Sequence, residues 1–129
     1  MIIKTTAYPR AALVGNPSDG YYGKTIAFVF RNYSADVELY ETPELELLPA
    51  KRDDNRFNNL EALAADVELY GYYGGIRLLK AAAKIFRDHC RRIGIHLEEK
   101  NFTMRYRSTI PNRLGLAGSS AIITAAMRA

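Results

Sequence analysis

The chain has 129 residues, of which 48% are apolar and 25% are charged, a composition typical of one globular domain and not of a disordered protein. A single cysteine excludes an internal disulfide, and no stretch approaches the roughly 20 apolar residues that cross a bilayer, so we expect a cytoplasmic protein without a signal peptide or a membrane partner. The net charge of +4 suits a nucleic acid as well as an anionic sugar and nucleotide, so charge does not choose between these partners.

The first half of the chain predicts strands. Four segments have the alternation or the β-branched and aromatic content of strands: residues 2–8, 11–14, 25–32 and 36–41. Only a short turn separates the last two segments, so we expect them to form a hairpin. Pro43 and Pro49 make residues 44–59 a predicted loop, with at most a short strand over 45–48.

The second half predicts three helices, over residues 60–70, over residues 76–93 and from Ser119 or Ser120 onward. A strand is predicted over residues 101–108, between the second and third helices. Gly71 and Gly94 end the first two helices. The hexapeptide Ala-Asp-Val-Glu-Leu-Tyr occurs twice, at 35–40 and 65–70, but the flanking sequences differ. We predict that the first copy is a strand and the second a helix, because tertiary context overrides local preference.

A run of glycine and hydroxyl residues directly precedes the last predicted helix. Gly118, Ser119 and Ser120 stand where its first turn begins. The first amides of a helix lack intrahelical acceptors and carry the positive end of the helix dipole, so they favour an anion such as phosphate. Glycine permits close approach of a phosphoryl group, and a serine hydroxyl can reach a bound Mg²⁺. The alternative is a serine N-cap after a glycine-rich turn, and these residues alone do not choose between the two.

A polar turn follows the predicted strand over residues 11–14. Residues 15–20 have the sequence Gly-Asn-Pro-Ser-Asp-Gly, which is rich in hydrogen-bonding groups and by itself favours a surface hairpin turn. The two glycines have the spacing of a Walker phosphate loop. That motif is excluded, because Tyr21 and Tyr22 follow where it requires Lys and Ser or Thr.

Together the two motifs resemble those of the GHMP small-molecule kinases. Residues 111–121 are similar to the family's phosphate-binding signature Pro-x-x-x-Gly-Leu-x-Ser-Ser-Ala, with one more residue between the Gly-Leu and Ser-Ser pairs, which leaves the loop register open by one residue. Residues 9–20 resemble the first family motif, an Arg-bearing strand that ends in Gly-Glu-His-Thr-Asp-Tyr in galactokinases. Both forms look most like the glucuronokinase branch, and residues 71–79 provide a third match, so the resemblance covers essentially the whole chain.

The resemblance implies an α+β fold, a mixed β-sheet with helices packed on one face, as in the GHMP kinase N-terminal domain and ribosomal S5 domain 2. It implies a transferase that uses ATP and Mg²⁺ to phosphorylate the anomeric hydroxyl of a sugar, with glucuronate as substrate and glucuronate 1-phosphate as product. Another sugar-1-kinase specificity is the alternative. An RNA-binding S5-like module, suggested by the pI of about 9.3, ranks lower because stacking aromatics interleaved with basic residues are not evident.

The resemblance also assigns site residues. The loop that would wrap the ATP phosphates consists of Gly115, Leu116, Ala117, Gly118, Ser119 and Ser120, with Ser119 or Ser120 on Mg²⁺. The residues expected at the sugar are Asn16, Asp19, Tyr21, Tyr22 and Lys24. In this assignment Asn16 and Asp19 hold sugar hydroxyls, and Lys24 meets the carboxylate by charge and proximity. Arg10 is the catalytic residue, which would steady negative charge at the reacting oxygen.

Members of this family are much longer than 129 residues. The carboxylates that ligate Mg²⁺ and assist the sugar hydroxyl lie beyond the helix that follows the phosphate loop in the family. We therefore expect residues 1–129 to be an incomplete GHMP kinase N-terminal domain, without the C-terminal domain and without turnover. Apolar surface left uncovered in such a fragment also predicts self-association.

Overall fold

The computed structural model describes residues 1–50, 53, 59, 74–97 and 100–129, apart from the side chain of Asp19. Its elements, in chain order, are β1 (Ile2–Ala7), β2 (Arg10–Val14), a 3-10 turn (Ser18–Tyr21), β3 (Ile26–Val29), β4 (Ala35–Thr42), β5 (Glu46–Leu48), α1 (Gly75–Arg92), β6 (Asn101–Ser108) and α2 (Gly118–Arg128). The predicted elements within these residues are confirmed, including the strand conformation of the first hexapeptide copy. The predicted helix over 60–70 and the second hexapeptide copy lie outside the described residues.

The main sheet has the strand order β1-β4-β6-β5. β4 pairs antiparallel with both β1 and β6, while the short β5 runs parallel to β6, so the sheet is mixed as predicted. Val37 lies at its centre, with Thr5 of β1 on one side and Tyr106 of β6 on the other. A smaller sheet consists of β2 and β3, which we call the β2–β3 ribbon.

The predicted hairpin between residues 25–32 and 36–41 is wrong. β3 pairs with β2, in a register that sets Arg10 opposite Val29, and the chain then crosses to the main sheet. Two hydrogen bonds tie the start of β4 to the end of β6: Thr109 N–H donates to the Ser34 carbonyl at 3.0 Å, and Ser34 N–H donates to Thr109 Oγ1 at 3.0 Å. This placement buries the small apolar residues of β4 between two partner strands, which a hairpin with the exposed β3 would not do.

The core lies on one face of the main sheet, where α1 and α2 pack. Alanines dominate the contact of α2 with the sheet, and small side chains allow a close approach of helix and strand. The approach is close enough for Thr5 Oγ1 of β1 to donate to the Ala125 carbonyl of α2 at 2.7 Å. The buried core residues are Ala7, Ala35, Val37, Leu79, Ala82, Met104, Tyr106, Ile110, Ala121, Ile122, Ala125 and Ala126.

The opposite face of the main sheet carries charge. Glu38 lies between Lys4, at 2.9 Å from Nζ to Oε1, and Arg105, whose Nε donates to Oε2 at 2.6 Å. The hydrogen bond from Lys4, then that from Arg105, holds the pKa of Glu38 below its ordinary value. Arg107 lies on the same face of β6 as Arg105 and opposite Asp36 of β4.

The β2–β3 ribbon exposes apolar side chains. Its outward residues are Leu13, Val14, Ile26, Phe28 and Val29, each at least half exposed. The predicted self-association requires an exposed apolar surface of this kind. In the part of the chain that the structure describes, no helix has the length and apolar content needed to cross a membrane.

The side chain of Asp53 caps the N-terminus of α1. Gly74 provides no capping side chain, and the buried Asp53 carboxylate instead accepts from Gly75 N–H at 2.7 Å and from Ala50 N–H at 3.1 Å. We expect Asp53→Ala to lower the free energy of unfolding by about 1 kcal/mol, measured by urea denaturation. Asp88→Ala is the control, because Asp88 forms an exposed pair with Lys84 that contributes little. Equal losses in the two variants would contradict the capping role.

Glu38 gives a pH-dependent prediction. Because the pKa of Glu38 is lowered in the folded state, the carboxylate stabilises the fold at pH values above its ordinary pKa of 4.5. This stabilisation is lost as the pH falls through the lowered pKa. We expect Lys4→Met to raise the Glu38 pKa toward 4.5 in an NMR titration of the carboxyl carbon. Lys80→Met, which removes an exposed lysine of α1, should leave it unchanged. A wild-type Glu38 that titrates at its ordinary value would refute the pairing.

Candidate functional site

The N-terminus of α2 presents amides that the helix does not use. Ala117 is the N-cap residue, and no side chain caps the helix. The first intrahelical bond runs from Ala121 N–H to the Ala117 carbonyl at 3.0 Å, so the amides of residues 118–120 point out of the first turn. Ser119 and Ser120 are exposed. The alternative of a serine N-cap is therefore wrong, and no capping side chain occupies the first amides of α2.

The loop before α2 is tightly folded. Arg113, Gly115 and Ala117 have positive φ angles of 61°, 68° and 53°. Glycine adopts this conformation freely, whereas a side-chain-bearing residue pays roughly 1–2 kcal/mol for it. Two strained residues within five positions must be compensated by the surrounding packing, and such strain is typical of ligand-binding loops.

A backbone hydrogen bond attaches this loop to the first residue of β2. Arg10 N–H donates to the Leu116 carbonyl at 3.3 Å. The bond brings the catalytic candidate Arg10 next to the predicted phosphate loop, although more than a hundred residues separate them in the chain. The start of β2 and the loop before α2 thus lie side by side.

Arg10 and α2 enclose a groove with a volume of about 240 Å³, which we call the α2 groove. Ala117, Ser120, Thr124 and Arg128 line its helical wall. The other wall includes Tyr8, Arg10 and Val29. No described residue that lines the groove is acidic, so Arg10 and Arg128 give it a positive potential suited to an anionic ligand, and the positive end of the α2 dipole adds to it at the Ser120 end only.

The first-motif turn is a closed loop with its own hydrogen bonds. The Gly15 carbonyl accepts from Ser18 N–H at 2.6 Å, from Ser18 Oγ and from Thr25 Oγ1 at 2.9 Å. Gly15 has a φ of 87°, and a Cβ there would collide with the Lys24 carbonyl oxygen. Only glycine fits this position, which explains the first residue of the motif.

The predicted sugar residues of this turn lie at the other end of β2 from Arg10. The backbone of the turn follows Val14, so about 13 Å of strand separates it from Arg10. Asn16, Tyr21, Tyr22 and Lys24 are exposed there, Tyr21 at 82% and Tyr22 fully, and the side chain of Asp19 is not described. The structure brings Arg10 together with Ser120, but it does not place the turn in the α2 groove.

Among the groove residues with polar side chains, sequence reasoning missed Tyr8, Thr124 and Arg128. Ser120, Thr124 and Arg128 recur every four residues, so they share one face of α2. This spacing is a signal that the sequence already contained. Tyr8 had no such signal, because only the fold sets the end of β1 against α2. The guanidinium of Arg31 also lies over the Tyr8 ring, 5.4 Å from its centroid.

Comparisons with known proteins show what the chain is similar to. Residues 77–129 match the family model of the GHMP kinases N terminal domain. The chain is 42% identical over 127 residues to probable glucuronokinase 2 of Arabidopsis thaliana and 40% identical over 126 residues to glucuronokinase 1 of the same plant. These alignments cover 98% and 97% of the chain but 35% of each relative, so the chain spans about a third of their length.

Two solved structures share the fold. A mevalonate kinase superposes with a TM-score of 0.57 at 18% identity, over 97% of this chain and 38% of its own. The mevalonate kinase of Methanococcus jannaschii gives a TM-score of 0.55 at 20% identity, over 98% of this chain and 38% of its own. The family model and the relatives confirm the resemblance that the two motifs indicate: residues 77–129 match the GHMP kinases N terminal domain, and nearly the whole chain is similar to the two glucuronokinases.

Proposed function

We propose that this chain provides the nucleotide-binding part of an ATP-dependent sugar kinase that phosphorylates the anomeric hydroxyl of glucuronate. The observation that carries the proposal is the uncapped start of α2, with Arg10 attached beside it through the Leu116 carbonyl. Two relatives named as glucuronokinases support glucuronate over another sugar as the acceptor.

In this proposal the amides of residues 118–120 bind the phosphates of ATP. Phosphoryl transfer asks a protein mainly for positioning and for neutralisation of charge, because the transferred group passes through a loose transition state. The α2 N-terminus offers oriented N–H donors and a positive dipole end, which need no reorganisation during the reaction. Arg10, on the adjoining wall of the groove, stabilises the negative charge that develops at the reacting oxygens.

Mg²⁺ fits this site in part. The ion prefers oxygen ligands and usually combines one or two carboxylates with substrate phosphates and waters, which it helps to neutralise. The exposed hydroxyl of Ser119 or Ser120 can provide one such oxygen. No carboxylate lines the α2 groove among the described residues, and these residues contain no cluster of three or more His, Cys, Asp or Glu. The serine hydroxyl is therefore the ligand that this part of the chain offers.

The first-motif turn is the second part of the proposed site. Asn16 and Asp19 are proposed to hold sugar hydroxyls, and the exposed rings of Tyr21 and Tyr22 offer faces on which a sugar can stack. Lys24 is the proposed contact for the carboxylate. Since β2 separates this turn from Arg10, the role of Lys24 needs a direct test, which is included in the experiment on the α2 groove below.

The metal contact can be assigned by comparing Ser119→Ala with Ser120→Ala. ATP affinity of each variant is measured by calorimetry, once with Mg²⁺ and once with EDTA. We expect the variant that lacks the metal ligand to lose affinity only when Mg²⁺ is present, by about tenfold, because one oxygen ligand is lost while the amides remain. The EDTA titration is the internal control. Two variants that both retain wild-type MgATP affinity would contradict a serine ligand.

Turnover provides a separate test of the proposed function. We expect the 129-residue chain to bind MgATP without transferring phosphate to glucuronate, because no carboxylate in the described part of the groove can accept the proton of the sugar hydroxyl. The measurement is the formation of glucuronate 1-phosphate, followed by phosphorus NMR with ATP and glucuronate in excess. Product formation above the rate without protein would contradict this expectation.

A further inference from the structure

The α2 groove continues well past the phosphate loop. Ser120 lines it at the loop end and Arg128 at the C-terminal end of α2, with Thr124 between them. Eight residues at about 1.5 Å per residue place the two ends about 12 Å apart along the helix axis. An anion at the α2 N-terminus uses only the first of these positions, so most of the groove has no role in binding phosphate.

The second wall runs in the opposite direction to α2. Arg128 Nη1 donates to the Thr6 carbonyl at 3.2 Å at one end, and Arg10 N–H donates to the Leu116 carbonyl at 3.3 Å at the other. The segment from Thr6 to Arg10 therefore spans the length of the groove. Each end of the groove has its own guanidinium group, with Tyr8 between the two.

The guanidinium of Arg128 offers N–H donors to a ligand. A guanidinium has five N–H donors in a planar fork, and among the described residues the only partner of Arg128 is the Thr6 carbonyl. That bond orients the guanidinium at the groove and leaves other N–H groups for a ligand. A planar fork of this kind matches a carboxylate with two parallel hydrogen bonds, and with no acidic residue in the described lining nothing competes for it.

We propose that the Arg128 end of the α2 groove binds the carboxylate of an acidic sugar and directs the hydroxyl to be phosphorylated toward Arg10 and Ser120. The proposal rests on the proposed kinase function and makes Arg128 the residue that selects a sugar acid over a neutral sugar. A volume of about 240 Å³ suits one small polar ligand, since pockets for drug-sized ligands measure roughly 300–1,000 Å³. Lys24, beyond the far end of β2, lacks this connection to the phosphate loop.

The test is a titration of the ¹⁵N-labelled 129-residue chain with glucuronate and with glucuronamide, its neutral amide. Wild-type protein should bind glucuronate more tightly, and the Nε–H signal of Arg128 should shift with glucuronate only. Arg128→Met should weaken glucuronate binding by about tenfold or more and leave glucuronamide binding unchanged, because a hydrogen-bonded charge pair is lost. Arg128→Lys should restore part of the preference, since an ammonium keeps the charge but not the fork.

Two further variants sharpen the result. Arg91→Met removes an exposed arginine of α1 that does not line the groove, and it should behave as wild type. Lys24→Met tests the alternative contact, and a loss of the glucuronate preference in Lys24→Met but not in Arg128→Met would overturn the proposal. Amide spectra of each variant show whether it is folded. If Arg128→Met is not folded, Arg128→Lys takes its place in the titrations.

Failure of this proposal can be told apart from failure of the kinase assignment. If the chain binds MgATP but the Nε–H signal of Arg128 does not respond to glucuronate, the groove proposal is wrong and the nucleotide site stands. If Arg128 responds to glucuronate but the chain does not bind ATP, the groove is a sugar-acid site and the kinase assignment is wrong. The same labelled sample serves both titrations.

Discussion

The close packing of α2 on the main sheet is the constraint on which the candidate site depends. Ala121, Ala125 and Ala126 are buried on α2, and they face the equally small Ala7 and Ala35 of the sheet. Small side chains on both surfaces let the helix lie near enough for Thr5 to bond the Ala125 carbonyl. A helix that lay farther out would move its first turn away from β2, and the bond from Arg10 to the loop would be lost.

This packing also explains how the chain maintains a strained loop. Arg113 and Ala117 hold positive φ angles that cost roughly 1–2 kcal/mol each. The loop is anchored on one side by the buried Ile110 and on the other by the buried Ala121 and Ile122 of α2. Gly118 fits this arrangement closely, since a Cβ there would lie 3.4 Å from Ile110. Burial around the loop thus offsets the strain, and the first amides of α2 stay exposed in a fixed orientation.

The sequence allowed most of the local structure to be predicted, for physical reasons that differ between elements. The alternation over β6 and the helical spacing over α1 record burial on one face, so both elements were recovered nearly to the residue. Strand pairing was not recoverable in the same way. β3 has an apolar sequence but an exposed surface, and nothing in its composition shows that β2, rather than β4, is its partner.

The candidate site was also predicted only in part from the sequence. Motifs indicated the phosphate loop and Arg10, because glycine and serine before a helix have a direct chemical meaning. The groove needed the fold, since Tyr8, Val29 and Arg128 come from three distant segments. The same fold separates the first-motif turn from the loop by the length of β2, which no motif comparison could show.

β2 therefore acts as a spacer between two polar ends. Its first residue is bonded to the phosphate loop, and its last residue leads into a turn closed around the Gly15 carbonyl. Because a strand paired with β3 is stiff, the distance between these ends is set by the ribbon and not by the ligand. The hydrogen bond from Arg10 to Leu116 shows which of the two ends lies beside the loop before α2 and its groove, and the closed turn at the other end is held away from both.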